Sequence, residues 1–468
     1  MIQPSSAKLL VLILSIFALS PSASADPPNV VFFLVDDMGW RDVACMGSDY
    51  HQTPHIDGLF ESGMKFTQAY ANAANCAPSR AALLSGMYAP RTGVYTVNPI
   101  NRGKAQHRRW IPHPNNAVLS AEVETLAERF KSVGYHTATI GKFHVGEVDT
   151  PSDPENQGFD LNIGGYKSGH PKSYFSPYKN PRLTDGPKGE YLTDRLTIEA
   201  VDYIQQKREG SFFLYLPYYT VHTPMQPRKD LLQLTSSRPK GKLHDRADFA
   251  AMVEALDESI GKVLAALDDA GVADNTIVVF SSDNGGHGAI TNMDPLRGSK
   301  GMLYEGGIRV PLAVRWPGVV KPGSTSETPV LLFDFYPTLC EAVGAELPKS
   351  QPVDGVSLMP ILRGENHELK DRALFWHFPG YLQKYSGMNG RWRATPASVV
   401  RQGPWKLIEQ YETDTIELYH LEDDISESRN LAQAKPEIAH RLLKTLREWQ
   451  QMTDAPTDFE PNPKYKPN

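Results

Sequence analysis

The sequence predicts an α/β fold, in which helices sandwich a large mixed, mostly parallel sheet and a smaller C-terminal subdomain combines an antiparallel sheet with a helix. Apolar runs such as Asn29–Val35 lack polar alternation, as strands buried on both faces do. Amphipathic segments alternate with these runs, which is the order that joins parallel strands. After Leu362, shorter strand-like segments separated by Gly/Pro turns indicate a second, antiparallel unit.

Apolar runs predict the strands of the main sheet, and the amphipathic segments between them predict helices. The predicted strands are Asn29–Val35, Thr137–Ile140, Ser211–Leu216, Thr276–Phe280 and Leu312–Val314. The predicted helices are Val123–Val133, Leu192–Gln206, Arg246–Leu267 and Leu332–Val343. The C-terminal subdomain should contain strands Leu374–Phe378, Ala397–Arg401, Trp405–Ile408 and Glu417–His420, the helix Glu437–Gln450 and an irregular tail, Ala455–Asn468.

The N-terminus has the features of a secretory signal peptide. Lys8 supplies a positive charge, and the apolar run Leu9–Leu19 is too short to span a bilayer as a mature helix. Ala23-Ser24-Ala25 offers a small-residue cleavage site, with an uncleaved membrane anchor as the alternative. We therefore expect residues 1–25 to be removed, leaving a periplasmic or secreted protein without stable membrane insertion.

Charge and cysteine content narrow the class of protein. The net charge is -6 and no long Lys/Arg block occurs, which excludes a nucleic-acid partner. The short basic stretch Arg102–Arg109 is expected to be a solvated loop, although it could contact an anionic polymer. With three cysteines, Cys45, Cys76 and Cys340, an exported chain does not depend on a disulfide framework, and pairing of Cys45 with Cys340 stays open.

Acidic pairs follow two of the predicted strands. Asp36-Asp37 come directly after the first strand, and Asp283-Asn284 come shortly after Thr276–Phe280. Ligands of open α/β sheets lie at the carboxyl ends of strands, so the two pairs would meet if the strands are neighbours. Carboxylate and amide oxygens are ligands for Ca²⁺ or Mg²⁺. Each pair alone could instead be a helix cap or a turn.

The segment Cys76-Ala77-Pro78-Ser79-Arg80 opens an Ala/Leu-rich stretch. A cysteine at a helix N-terminus beside an arginine is typical of a reactive nucleophile, since the helix dipole and Arg80 both stabilise negative charge. The alternative is a buried structural cysteine at an ordinary helix start.

Further motifs follow in order along the chain: Gly141–Gly146 (Gly-Lys-Phe-His-Val-Gly), Val221–Pro224 (Val-His-Thr-Pro), Arg297–Gly301 and Tyr304–Pro311. Together with the Cys76 segment, they resemble the signatures of the type I sulfatases, members of the alkaline phosphatase superfamily. The resemblance covers most of residues 26–362, the implied catalytic domain, and more loosely residues 363–468, the C-terminal subdomain.

The resemblance implies specific chemistry at Cys76. A maturation enzyme would oxidise this residue to formylglycine, whose hydrated aldehyde attacks sulfur. One Ca²⁺ would be held by Asp36, Asp37, Asp283, Asn284 and the modified Cys76. The other implied catalytic residues are Arg80 (orienting the nucleophile), Lys142 and Lys300 (binding sulfate oxygens), His222 (general acid) and His144 (bonding the formylglycine hydroxyl and assisting breakdown of the sulfated intermediate). Glu305 and Arg309 are expected to form a structural ion pair.

Substrate recognition leaves weaker signals. Candidate contacts are His170 in a Gly-rich loop, His377, and Arg393 at the end of the aromatic and basic segment Tyr385–Arg393. Such residues suit sulfated sugars by stacking and charge, although a structural role is equally open for each.

The resulting prediction is an exported sulfatase acting on sulfated carbohydrate or aryl sulfate. One alternative keeps the fold and hydrolyses phosphodiesters or phosphonate monoesters. A second is a non-enzymatic anion-binding protein in which Cys76 stays a thiol.

Overall fold

The computed structural model describes residues 27–207, 209–365, 369–386 and 388–467, so the predicted signal peptide lies outside the described residues. The strands in chain order are β1 (Asn29–Val35), β2 (Met64–Phe66), β3 (Ala69–Tyr70), β4 (His136–Ile140), β5 (Leu161–Ile163), β6 (Phe212–Pro217), β7 (Thr276–Ser282), β8 (Leu312–Arg315), β9 (Ser324–Ser326), β10 (Val330–Leu331), β11 (Leu374–Phe378), β12 (Leu382–Gln383), β13 (Trp392–Ala394), β14 (Ala397–Gln402), β15 (Trp405–Gln410) and β16 (Thr415–His420).

The α-helices in chain order are α1 (Pro54–Ser62), α2 (Cys76–Ser85), α3 (Ala89–Thr92), α4 (Leu126–Ser132), α5 (Leu192–Lys207), α6 (Lys229–Ser237), α7 (Ala247–Asp269), α8 (Glu305–Ile308), α9 (Phe335–Val343), α10 (Met359–Leu362) and α11 (Pro436–Thr453). Helix α4 is shorter than predicted because Thr125 and Glu128 form a capping box that fixes its start. The predicted helix Leu332–Val343 begins as a 3₁₀ turn over Leu332–Asp334 and continues as α9.

The described residues form a central sheet of eight strands in the order β5-β4-β6-β1-β7-β8-β2-β9. Strand β1 lies between β6 and β7 and is parallel to both, with Val30 opposite Phe213 and Ile277. Strand β8 runs antiparallel to β7 and to β2, so the predicted strand Leu312–Val314 is the one that makes the sheet mixed. The predicted mixed, mostly parallel sheet is confirmed.

Helices cover both faces of this sheet. Alternate side chains of β1 point to opposite faces, as the pleat of a strand requires. Val30, Phe32 and Leu34 belong to the apolar core that includes residues of α2, α4 and α9. The intervening side chains of β1 belong to a second core with residues of α1, α5 and α7. Because both faces are buried, β1 needs no polar alternation, which explains its apolar run.

The C-terminal subdomain is an antiparallel sheet in the order β11-β14-β15-β16, with α11 packed against it. It contacts the main domain through Trp376, whose indole Nε1 donates a hydrogen bond to the carbonyl oxygen of Ala71 at 2.8 Å. Tyr70 packs edge-on against the same indole. The subdomain is therefore placed beside the segment that leads into α2.

Cys45, Cys76 and Cys340 are free thiols. Cys45 packs against the core that includes α7, whereas Cys340 lies in the core on the other face of the sheet. The pairing of Cys45 with Cys340 that the sequence left open is therefore excluded by the fold. In the part of the chain that the structure describes, no helix is long and apolar enough to cross a membrane.

Candidate active site

The two acidic pairs meet at the carboxyl edge of the central sheet. Strands β1 and β7 are neighbours in register, with Val35 opposite Ser282, so the residues that follow them emerge side by side. The side chain of Asn284 donates a hydrogen bond to Asp37 Oδ1 at 2.8 Å, and the backbone N–H of Asp37 donates to Asp283 Oδ1 at 3.3 Å. The predicted juxtaposition of the two pairs is confirmed.

Cys76 is the first residue of α2 and faces this edge. Its sulfur lies within 4.8 Å of carboxylate oxygens of Asp36 and Asp283. Burial raises the pKa of the thiol, and the nearby lysines lower it less than burial raises it. Burial therefore disfavours the thiolate form of the unmodified side chain at this position.

Buried cations contact each acidic residue of the site. Lys142 Nζ lies 2.7 Å from Asp36 Oδ2, and Lys300 Nζ lies 2.6 Å from Asp37 Oδ1. Burial raises the pKa of Asp36 to about 8 even though Lys142 opposes the shift. Burial acts in the same direction on Asp37, but Lys300 and other cations outweigh it and hold the pKa of Asp37 well below its usual range.

Arg80 is the third buried cation, and its guanidinium connects two segments of the site. Its Nε donates a hydrogen bond to Asp283 Oδ2 at 2.8 Å, and its Nη1 donates to the carbonyl oxygen of Lys142 at 2.6 Å. One guanidinium thus ties the residues after β7 to those after β4, because its planar fork serves two acceptors at once.

The donor set at the strand ends fits a hard cation. Within the described residues, Asp36 Oδ1 and Asn284 Oδ1 are buried and have no hydrogen-bond partner. Buried oxygen acceptors are normally paired, since leaving one unpaired costs about 1–3 kcal/mol. Carboxylate and amide oxygens are the ligands that Ca²⁺ and Mg²⁺ take. The residues present therefore fit the predicted cation.

Two histidines flank the carboxylates. His222 Nδ1 lies 2.8 Å from the carbonyl oxygen of Thr223 and donates to it, while Nε2 lies 3.5 Å from Asp37 Oδ2. His144 Nδ1 is buried without a partner among the described residues. Burial lowers the pKa of both imidazoles well below the usual value, and neighbouring lysines add to this effect. Both rings are therefore neutral in the free protein.

Backbone at two of these positions is unusual. Asp37 has φ of 62° and His144 has φ of 72°, in the left-handed region that favours glycine. Both residues come shortly after the end of a strand. The left-handed conformation changes the direction of the backbone there, and with it the direction in which the side chain points. Such outliers cluster at functional sites.

A cavity of about 430 Å³ opens over Cys76. Its lining includes Cys76, His144, His222 and Lys300, and also Arg102, His170 and Arg393. The rings of His170 and His222 stack with centroids 6.2 Å apart. A Cβ at Gly169 would lie 2.5 Å from the His144 ring, so glycine is required where this loop crosses the histidine.

His377 does not reach the cavity. It lies on β11 in the interior of the subdomain, where its Nδ1 contacts Ser398 Oγ at 2.8 Å and its ring packs edge-on against Tyr95. The prediction that His377 contacts substrate is wrong, because strand pairing of β11 with β14 places the side chain inside the fold.

Arg102 is a cavity residue that was not among the predicted site residues. The basic stretch Arg102–Arg109 was expected to be a solvated loop, with contact to an anionic polymer as the alternative, and Arg102 is half-buried and lines the cavity. The available signal was the density of arginines in that stretch. Lys167 and Glu147, which also line the cavity, form an ion pair at 2.7 Å.

A second buried charge cluster lies where α8 meets the C-terminal subdomain. The predicted ion pair of Glu305 with Arg309 is confirmed, with Nη1 of Arg309 3.3 Å from Glu305 Oε2. Lys406 of β15 lies 3.0 Å from Glu305 Oε1 and 2.8 Å from Glu427 Oε1. We call Glu305, Lys406 and Glu427 the glutamate–lysine cluster. The sequence offered no local signal for Lys406 or Glu427.

Known proteins share these sequence features. The model of the family Sulfatase matches residues 28–345, and that of N-sulphoglucosamine sulphohydrolase, C-terminal, matches residues 298–452. A sulfatase of Formosa agariphila is 36% identical, covering 92% of this chain and 90% of its own. The N-acetylgalactosamine-6-sulfatase of Mus musculus is 31% identical, covering 80% of this chain and 73% of its own.

Solved structures share the fold. The crystal structure of Ps i-CgsB in complex with k-i-k-neocarrahexaose has a TM-score of 0.76 and 27% identity, covering 92% of this chain and 98% of that chain. The phosphonate monoester hydrolase of Agrobacterium radiobacter has a TM-score of 0.68 at 20% identity, covering 91% of this chain and 96% of its own, which shows the fold alone. The family match extends over more than half of the sequence. The chain therefore belongs to the sulfatase family of the alkaline phosphatase superfamily and is a sulfuric ester hydrolase.

Proposed function

We propose that the protein is an exported, calcium-dependent sulfatase that acts on sulfated carbohydrates after a maturation enzyme has oxidised Cys76 to formylglycine. One observation carries the proposal. Cys76 and Lys300 line one cavity, and the sulfur of Cys76 lies within 4.8 Å of a carboxylate oxygen of Asp36. Asp36 and Asn284 each have a buried oxygen without a hydrogen-bond partner among the described residues. A neutral, buried thiol is a poor nucleophile, which favours a modified side chain at position 76.

Asp36, Asp37, Asp283 and Asn284 would hold the cation. Bound there, Ca²⁺ would polarise a sulfate oxygen and favour deprotonation of the hydrated aldehyde, the oxygen nucleophile. Arg80 keeps Asp283 in place through its 2.8 Å hydrogen bond. Lys142 and Lys300 supply positive charge where the sulfate oxygens gain negative charge in the transition state.

His222 is our candidate for the group that protonates the leaving oxygen. Its imidazole is neutral in the free protein because of burial and Lys300. An anionic substrate in the cavity favours the protonated ring, since opposite charges at close range stabilise each other. His222 would then take up a proton and donate it to the departing alkoxide. His144, which lines the cavity beside Cys76, would hydrogen-bond the modified side chain.

The cavity supports a sugar substrate rather than a small aryl sulfate. The cavity has a volume of about 430 Å³, and His170 and Arg393 are part of its lining. A bare aryl sulfate would leave part of this volume unfilled and these side chains without a contact. The relative from Mus musculus is an N-acetylgalactosamine-6-sulfatase, and the structural neighbour Ps i-CgsB was crystallised with a carrahexaose. Both relationships favour a sulfated carbohydrate.

The test has two parts. Peptide mass spectrometry of protein from the native host should show the thiol-to-aldehyde mass loss at Cys76, and fully active protein with only the thiol would contradict the proposal. Matured protein should then be assayed against sulfated sugars, an aryl sulfate and an aryl phosphodiester. Turnover of the phosphodiester well above every sulfate ester would favour the alternative reaction.

Export is tested separately. The purified mature chain should begin at Asp26 and be found in the periplasmic or secreted fraction, as N-terminal sequencing and cell fractionation would report. An intact Met1 on cytoplasmic protein would contradict export without affecting the proposed chemistry.

A further inference from the structure

Two arginines from separate parts of the chain line this cavity. Arg102 comes from the loop after α3, and Arg393 comes from β13 of the C-terminal subdomain. Both line the cavity that contains Cys76 and Lys300. In the described part of the chain, neither guanidinium forms an ion pair with a carboxylate, although most buried or half-buried arginines elsewhere in this fold do.

Arg393 is fixed in place beside the backbone of Lys300 and Gly301. Its guanidinium carbon lies 4.1 Å above the ring of Tyr385, and the hydroxyl of Tyr385 donates a hydrogen bond to the carbonyl oxygen of Lys300 at 3.0 Å. A Cβ at Gly301 would lie 2.8 Å from Arg393 Nε, so the arginine packs directly on that backbone. Arg393 Nε is buried and has no hydrogen-bond partner among the described residues.

Arg102 is held by its own loop. Its Nη2 donates a hydrogen bond to the carbonyl oxygen of Val97 at 3.0 Å, and its Nε donates to that of Pro99 at 3.2 Å. Arg108 Nη1 donates to the carbonyl oxygens of Asn101 and Gly103 at 2.6 and 2.8 Å, which fixes the loop on the other side of Arg102. The Nη1 of Arg102 has no acceptor within the described ranges.

The remaining charges of the cavity do not neutralise this pair. Glu147 is engaged with Lys167 at 2.7 Å, and Lys300 is engaged with Asp37. Burial lowers the pKa of Arg102, and the positive charge of Arg393 lowers it further. Like charges held close together in a partly buried site favour an anionic ligand, because it offsets both the repulsion and the desolvation.

We propose that Arg102 and Arg393 bind a second anionic group of the substrate, next to the sulfate that is removed. A planar guanidinium fork recognises sulfate or carboxylate through paired, charge-assisted hydrogen bonds, which suits either group. The inference rests on the proposed function and narrows its substrate class to sugars with at least two anionic groups, either a second sulfate or a neighbouring uronate.

Binding to the Cys76→Ala variant tests this without turnover. Isothermal titration calorimetry would compare glucosamine 6-sulfate with glucosamine 2-N,6-O-disulfate, and a chondroitin 6-sulfate disaccharide with its carboxyl-reduced form. We expect the sugar with two anionic groups to bind at least about tenfold more tightly in one of the two arms. Adding Arg393→Gln or Arg102→Gln should remove most of that preference, whereas Lys104→Gln, an exposed residue of the same loop, should keep it.

The outcomes separate the two proposals. Equal affinity of Cys76→Ala for both sugars in both arms, or an unchanged preference after both arginine substitutions, would overturn the second-anion site. A preference that depends on the arginines supports it, and the sulfate and carboxylate arms identify which group is bound. Absence of turnover by matured wild-type protein on the sugar that binds best would count against the proposed function alone.

Discussion

The protein buries two clusters of charge, and they differ in one respect. In the glutamate–lysine cluster, all four carboxylate oxygens of Glu305 and Glu427 lie within 3.3 Å of a donor or a cation. Glu427 Oε1 has no hydrogen bond but lies 2.8 Å from the Lys406 ammonium, whereas Asp36 Oδ1 and Asn284 Oδ1 have neither a hydrogen-bond donor nor an ion-pair partner among the described residues. Burial and ion pairing are common to both regions, so neither marks a functional site. The distinguishing feature of the strand ends is a pair of acceptors without donor or cation, one of them on Asp36, whose carboxylate lies within 4.8 Å of the sulfur of Cys76.

The two clusters should therefore have opposite roles. The glutamate–lysine cluster joins α8 to β15, and each of its carboxylate oxygens has a donor or a cation beside it, so we expect it to contribute to the free energy of unfolding and little to turnover. The site at the strand ends has two oxygen acceptors that are available to a cation, so we expect it to contribute mainly to turnover. Five experiments can separate these two roles.

The first concerns Cys76. Cys76→Ala should lower kcat by at least about 10⁴-fold, because it removes the nucleophile, and should leave the melting temperature within about 2 °C of wild type. Steady-state kinetics on matured protein and differential scanning calorimetry give the two values. Ser85→Ala, at the other end of α2, is the matched control for a change in this helix. Substantial turnover by Cys76→Ala would remove the residue from the chemistry.

The second concerns the cation. Chelation should lower the rate by about 10³-fold or more, and added Ca²⁺ should restore it, since the cation stabilises transition-state charge by several kcal/mol. Asp283→Asn, which removes the ligand charge but keeps an oxygen acceptor for the buried Arg80, should behave like chelated protein. Full activity of protein shown to be metal-free by mass spectrometry would mean that the unpaired oxygens serve another purpose.

The third separates proton transfer from binding. His222→Ala should lower kcat/KM for a sugar sulfate by about 10²–10⁴-fold, the usual contribution of a general acid. For nitrophenyl sulfate, whose phenolate leaves without a proton, the loss should be much smaller. Equal losses on both esters would assign the acid role elsewhere, with Lys300 as the next candidate.

The fourth tests the closed cluster. Lys406→Met should lower the free energy of unfolding by about 3–5 kcal/mol, because it leaves two buried carboxylates without their shared cation. At temperatures where the variant is folded, its kcat/KM should stay within about threefold of wild type. Denaturant unfolding, with exposed Lys464→Met as the control, provides the measurement. Loss of activity without loss of stability would reverse the division between the two clusters.

The fifth uses pH. Burial raises the pKa of Glu427 from 4.5 to about 7, so the folded protein binds more protons than the unfolded chain between those values. The free energy of unfolding should therefore fall as the pH rises through this window. Glu427→Gln should make that slope shallower, whereas exposed Glu437→Gln should not. Identical slopes for wild type and Glu427→Gln would show that Glu427 is not the titrating group.

Sequence reasoning succeeded where local pattern and topology agree. The apolar run of β1 and the acidic pair after it are contiguous, and parallel pairing with β7 brings Asp283 alongside without further information. Sequence reasoning failed where the position of a side chain depends on packing against segments that are distant in the sequence. Arg102 was expected in a solvated loop but lines the cavity. His377 was expected to contact substrate, but the pairing of β11 with β14 places it inside the fold. Lys406 has no local signal because its partners come from α8 and from Glu427.

The left-handed backbone of Asp37 and His144 has a consequence for protein engineering. Each non-glycine residue held at positive φ costs of order 1–3 kcal/mol, which glycine would not incur. At position 37 the ion pair with Lys300 offsets this cost, because glycine there would leave a buried cation unpaired. His144 has no such compensation, since its Nδ1 is buried without a hydrogen-bond partner among the described residues. Selection for melting temperature alone, in the laboratory or by computational redesign, would therefore favour glycine at position 144 and remove an imidazole from the cavity. Thermostabilisation of this enzyme should hold residue 144 fixed from the start.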